Sequence, residues 1–280
     1  MRIGYLHSRT DAKQAIKDFE EFLATHKDHP QCARVTISLG GLYLRNLELD
    51  KAEAAFDAVK STPNAPPGAV EEANMQSGFV KMMKYYASRD KANLTSAISA
   101  FDGLSAAADV RIRAKSKLGT AEALLLLGKA ADAHEKHKTA AQTYSDQPYF
   151  KGLALYGAGI CSQDMQKPEE AASEFSAFLD SQAGSTLADK DAAWKRTALS
   201  SLGSYIQVTI QKDGSLDKIP ASGIVSKASY LRGECLYTAG KYKEAEKQLS
   251  AVVAAFPGTE SAESANSAVA RCKMAIGGEQ

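Results

Sequence analysis

The chain has 280 residues, with 34 Lys+Arg against 33 Asp+Glu, a formal net charge of +1 and 44% hydrophobic residues. Charge this evenly balanced supplies neither a basic groove for nucleic acid nor a polybasic surface for a membrane. No apolar run approaches the ~20 residues that a membrane span needs.

The opening stretch, MRIGYLHSRTDAKQ, lacks the apolar centre of a signal peptide. It reads as the start of a cytosolic chain, or of a piece whose export signal is missing, in which case a periplasmic or envelope location follows. Asp11–Thr25 has the pattern of a second helix whose own first helix is nearly absent, with Met1–Arg9 as a truncated remnant. That suggests a fragment of a longer array or an unusual amino-terminal end. Cys32–Asn46 and Asp50–Lys60 then form the first complete helical hairpin, and STPNAPPG (Ser61–Gly68) is a turn-rich linker. Ala69–Ser88 pairs with Lys91–Ala107, Val110–Leu127 with Ala130–Tyr144, and Tyr149–Met165 with Pro168–Asp180. Pro168 suits a first helical turn, where no backbone donor is missed.

Leu187–Gly223 is irregular. Asp189–Leu202 reads as a helix carrying the only tryptophan, Trp194. Beyond it, SYIQVTIQKDGSLDKIP either continues the helix to about Gln211 and then loops, or turns as a short hairpin around Lys212-Asp213-Gly214. Tyr230–Gly258 is again two helices, broken at Gly240 and ended by Pro257-Gly258. Ser261–Ile276 places Ala262, Ala265, Val269, Cys272 and Ile276 on one face and polar residues on the other, as a terminal capping helix requires.

An internal repeat underlies this order. Each second helix carries an alanine four residues before a bulky partner: Ala15/Phe19, Ala52/Phe56, Ala97/Phe101, Ala133/His137, Ala171/Phe175 and Ala245/Leu249. Phe22, Val59, Leu104, Ala140, Phe178 and Val252 stand three residues further on. Spacing of i, i+4, i+7 puts each set on one buried face, where the alanine admits a neighbouring helix and the bulky residue fills the space. The bulky members recur about every 37 residues, except for a longer step of 45 between Phe56 and Phe101 and a double step between Phe175 and Leu249. The first helices answer with small residues at mid-length: Gly40, Gly78, Ala121, Gly159 and Gly233. Close helix–helix contact accounts for glycines that each cost about 1 kcal/mol of helix propensity.

The Ala-x3-bulky couples, Leu39-Gly40-x2-Tyr43 and the trailing Pro257 resemble the tetratricopeptide repeat over nearly the full length, most clearly in Lys227–Gly258 and next in His29–Lys60. The resemblance implies an all-α, right-handed superhelical solenoid of antiparallel helix pairs, about six to seven units with one irregular and a C-terminal capping helix. The expected organisation is a single array over 1–280: a partial repeat at 1–28, regular repeats at 29–186, an irregular repeat with a loop at 187–223, the best-matching repeat at 224–258, and the capping helix and tail at 259–280. Ala255–Ala262 is similar to linkers in bacterial cell-envelope members of the superfamily, such as outer-membrane assembly lipoproteins.

The same resemblance implies a concave groove lined by first helices and a non-catalytic role as a protein-interaction scaffold without cofactor. Aligned on the small residue of each first helix, the groove positions are Arg34, Ile37, Leu44, Arg45, Lys115, Leu118, Glu122, Leu153, Tyr156, Ile160, Tyr230, Glu234 and Tyr237. The Lys/Asn/Arg clamp of repeats that bind acidic chaperone tails is not recognisable among them. Their aromatic and aliphatic mixture suits an extended or helical apolar segment of a partner protein or peptide. A homo-oligomeric envelope or assembly subunit is the alternative, and a metal protein or enzyme using Lys212–Pro220 or the histidine pairs a remote one.

Residues that suggest chemistry have plainer readings. His134-Glu135-Lys136-His137 is not HExxH, because its histidines stand three apart rather than four. His137 fills the slot of an anchor phenylalanine and reads as a packed core histidine. His26, His29 and Cys32 share a linker and a helix start with no evident fourth ligand. Asp164, Glu169 and Glu170 read as ordinary charges around a turn and a first helical turn. Cys32, Cys161, Cys235 and Cys272 show no CxxC spacing, and Cys161 and Cys235 read as small buried thiols. Trp194 reads as core filler for the irregular repeat or as an exposed binding anchor.

Overall fold

The computed structural model describes residues 11–181 and 223–278. Among them are twelve α-helices and no strand: α1 (Ala12–Thr25), α2 (Cys32–Arg45), α3 (Leu49–Lys60), α4 (Pro67–Ser88), α5 (Lys91–Asp102), α6 (Val110–Leu126), α7 (Ala130–Thr143), α8 (Pro148–Asp164), α9 (Pro168–Ser181), α10 (Ile224–Thr238), α11 (Tyr242–Ala255) and α12 (Glu260–Gly278). The irregular stretch 187–222 and Trp194 lie outside the described residues. The chain divides into two compact units, Met1–Leu127 and Gly128–Gln280.

Local chemistry sets the helix ends. Asp11, Asp90 and Asp109 cap α1, α5 and α6, accepting from the backbone N–H of Gln14, Ala92 and Arg111 at 3.0, 2.9 and 2.7 Å. Pro67, Pro148 and Pro168 open α4, α8 and α9, so α4 begins inside the stretch expected to be linker. α5 stops at Asp102 rather than at Ala107, where Gly103 leads into tight turns. Gly240 (φ 76°) turns the chain between α10 and α11, a left-handed position that suits a residue without Cβ.

In the first unit each helix packs on the next, from α1 through α6, and alternate helices α2, α4 and α6 also touch in sequence. In the second unit the same order runs from α7 to α12, with α10 also against α12. α9 packs directly on α10, so the hairpins on either side of residues 182–222 share an interface. Each unit is therefore a stack of antiparallel hairpins, the arrangement of a helical-repeat solenoid.

The alanine/bulky couples form the core of both stacks. Ala15, Ala52, Ala97, Ala133, Ala171 and Ala245 are all fully buried, as are Phe19, Phe56, Phe101, His137, Phe175 and Leu249 to within a few per cent. The third members Val59, Leu104, Ala140, Phe178 and Val252 are buried as well. Phe22 is only half-buried; its ring stacks on His26 at 4.8 Å.

Four of the six bulky anchors meet a glycine of their own first helix. A Cβ added at Gly40 would lie 2.7 Å from Phe56 Cε1, at Gly78 2.5 Å from Phe101 Cε1, at Gly159 2.7 Å from Phe175 Cε1 and at Gly233 2.6 Å from Leu249 Cδ2. The following first helix closes in from the other side. At Gly119 of α6 a Cβ would lie 2.7 Å from Phe101 Cε2, so the Phe101 ring is wedged between glycines of α4 and α6 by its two opposite edges. Gly157 of α8 meets the His137 ring in the same way. Sequence reading found the first set of glycines and missed the second, which stand two residues earlier on the helix.

Gly78→Ala is expected to destabilise the first unit by ~1–3 kcal/mol, because overpacking outweighs the gain in helix propensity. Adding Phe101→Leu, which shortens the obstructing side chain, recovers part of that loss. Urea unfolding of the two single variants and the double variant reads the coupling.

Candidate functional site

Most of the first-helix positions selected by aligning the repeats are partly exposed, and several of them pack against the core with their inner side. In the first unit Arg34 and Arg45 of α2 are exposed and Ile37 and Leu44 between them are half-buried, forming one stripe along the helix. On α6, Lys115 and Glu122 are partly buried. Loss of hydration holds the Lys115 ammonium below its ordinary range, with Arg111 adding repulsion, and holds the Glu122 carboxyl above its own. Leu118 does not belong to this surface: it is 1% exposed. α6 packs on both α4 and α5, which widens its buried arc to take in Ser116, Leu118, Gly119 and Thr120.

In the second unit Leu153, Tyr156 and Ile160 of α8 are half-buried, as are Tyr230, Glu234 and Tyr237 of α10. Tyr156 lays its ring against Phe175 and Phe178, with centroids 5.8 and 5.9 Å away, so much of it belongs to the core. Tyr230 carries Lys227 Nζ over its ring at 5.5 Å, and burial raises its phenol, with Glu234 adding to the shift. Tyr237 packs at 5.2 Å from Tyr242 and lies under the Arg271 guanidinium, also at 5.2 Å. Arg271 Nη2 donates to Glu234 Oε1 at 2.7 Å. Arg271 thus joins two residues of α10 from α12, a contact that sequence reading missed because it spans 37 positions.

A second polar assembly sits on the second helices. His134 of α7 is buried, and its Nε2–H donates to Glu174 Oε1 of α9 at 2.6 Å. The carboxylate can only accept, so Nε2 carries the proton. Ser162 of α8 donates to the other oxygen, Glu174 Oε2, at 2.6 Å, and its Oγ lies 3.2 Å from Nε2. Glu170 Oε1 approaches the same nitrogen at 3.8 Å, while Glu170 Oε2 pairs with Lys167 at 3.3 Å. Glu170 stands in the first turn of α9, as the sequence reading has it, and lies close to the His134 ring as well. The helices that converge here are set by the repeat register, and no local motif announces the meeting.

His137 is core, in the slot of an anchor phenylalanine. It is 3% exposed and neither ring nitrogen has a hydrogen-bond partner. His26, His29 and Cys32 do not gather around a common point: the Cys32 thiol donates to the main-chain carbonyl of His26 at 3.0 Å. Cys161 and Cys235 are buried, and loss of hydration pushes the Cys235 thiol up to about 11. No helix among the described residues is long and apolar enough to cross a membrane.

Burial, with His134 adding to it, lowers His137 from 6.5 to about 4. In that window the unfolded chain takes up a proton that the folded chain refuses, so stability falls as pH drops from ~6.5 towards 4 and levels off below, by roughly 3 kcal/mol at most from this residue. His137→Phe, which restores the ring used at the equivalent slots, is expected to remove that part of the slope and to raise stability at pH 5. Thermal unfolding of both proteins at a series of pH values checks it.

A tetratricopeptide repeat family profile matches residues 8–68 and 225–260. No curated protein sequence matches the chain. Among solved structures, a tetratricopeptide repeat protein from Parabacteroides merdae is similar at a TM-score of 0.51 and 10% identity, over 96% of each chain. The C-terminal part of a TPR repeat-containing protein from Cytophaga hutchinsonii is similar at 0.52 and 14% identity, over 100% of this chain and 99% of that one. The profile, these folds and the buried Ala/bulky couples agree: the chain is a tetratricopeptide-like helical repeat protein.

Proposed function

We propose that the chain is a non-catalytic scaffold for protein–protein interaction, and that the first-helix faces hold an apolar segment of a partner, extended or helical. The observation that carries this reading is the composition of those faces. Ile37 and Leu44 lie between Arg34 and Arg45 on α2, and Tyr230 and Tyr237 flank Glu234 on α10. Half-exposed apolar groups bordered by charge offer contact area at the centre and orientation at the rim. The second helices supply the bulky anchors, and four first helices meet the anchor of their own hairpin with glycine at the point of closest approach. Tyr230 and Tyr237 are prearranged by Lys227 and Arg271, which reduces the entropy lost when a partner binds.

A photo-crosslinking residue placed at Arg34 or Tyr230 is expected to capture a partner protein in the native cell. The same residue at Lys138 or Lys247, exposed on the second helices, is expected not to. Leu44→Ala or Tyr237→Ala then weakens binding of the captured partner by about tenfold or more. Capture from the second-helix positions alone, or unchanged affinity in both variants, contradicts the reading.

A further inference from the structure

We propose that His134, Glu170 and Glu174 form a binding site for one divalent transition-metal ion, with zinc the representative case. Their ligand atoms all lie within 4.8 Å of one another, the only group of three such residues among those described. One imidazole nitrogen and two carboxylate oxygens are a donor set that zinc takes at ~2.0–2.2 Å, and a water completes four-coordination.

Three features distinguish the group from a chance gathering of surface charge. First, the imidazole is buried and Glu174 is 14% exposed, whereas Glu170 is 39% exposed. Two ligands are thus held inside and one stands at the mouth, where a hydrated ion can enter. Second, the ligands stand next to core positions of the helices that carry them. His134 follows Ala133, Glu170 precedes Ala171 and Glu174 precedes Phe175, all fully buried. Ligands fixed by core packing and by neighbouring hydrogen bonds are already arranged for binding. Third, supporting contacts are in place, because Ser162 orients Glu174 through Oε2 and leaves Oε1 directed at the imidazole.

Glu170 and Glu174 stand one helical turn apart on α9, where like charges repel, and the Nε2 proton of His134 reaches Glu174 but not Glu170. A divalent cation in place of that proton serves both carboxylates at once. The imidazole then carries its proton on Nδ1, 3.9 Å from Glu135 Oε1, so binding shifts the tautomer and leaves the number of protons on the ring unchanged. Lys167, which pairs with Glu170 at 3.3 Å and is more than half exposed, swings aside into solvent.

The full chain, stripped with a chelator and titrated with Zn2+ in a calorimeter, is expected to bind one ion saturably at micromolar concentration. Glu170→Gln weakens that binding by about tenfold or more, and Glu174→Gln weakens it further. Because Glu170 stands at the mouth, E170Q leaves the fold intact and decides the matter even if E174Q disturbs the Ser162–His134 network. Absence of saturable binding overturns the proposal. So does binding of equal strength in E170Q, as would follow if the ion sat on His26, His29 and Cys32.

Discussion

A ring on one helix pressed against backbone on another is the contact from which both units are built. Phe101 enters from α5 and touches Gly78 of α4 with one edge and Gly119 of α6 with the other. No residue with a Cβ fits at either point without displacing the ring. Burying a phenylalanine contributes about 1.5–3 kcal/mol, against about 1 kcal/mol lost for each of the two glycines inside helices. The two sides come close to offsetting, and what the arrangement secures is the spacing of three helices by one side chain. Repetition of the glycine contact at Phe56, Phe175 and Leu249 brings the two helices of each of those hairpins similarly close.

This division of labour separates architecture from recognition. Second helices give their bulky anchors to the interior, and first helices meet those anchors with small residues while burying Val35, Leu42, Val80 and Met82 of their own. On the other side of a first helix packing is looser: on α2 Arg34 and Arg45 are exposed, and Ile37 and Leu44 are only partly buried against the core. Second helices carry the complementary feature, a buried imidazole tied to carboxylates across the repeat boundary. Both candidate sites thus take their position from the Ala/bulky register rather than from any local motif.

The register was legible because it is written in spacing. All six alanines and their partners are buried where i, i+4 periodicity places them, and most helix ends fall within two residues of the sequence reading. His137 could be recognised as core because it occupies a phenylalanine slot. Features that join distant positions were not legible. The His134–Glu174 bond spans 40 residues and the Arg271–Glu234 bond 37, and both depend on which helices become neighbours. Leu118 was misplaced for a related reason: an alignment offset marks a helix face but not how many helices cover it. α5 is shorter than expected: it ends at Asp102 with Gly103 as its C-cap, and Leu104 is buried from the turn that follows.

If one ring holds three helices, then α4, α5 and α6 cannot open separately. Native-state hydrogen exchange across a denaturant series resolves this directly, because amides that share an opening converge on one free energy and one denaturant slope. The slowest amides around Gly78, Phe101 and Gly119 are expected to converge on a single opening of the first unit. Exchange of α5 through a separate, cheaper opening while α4 and α6 stay protected would contradict the wedge as the element that holds the stack together.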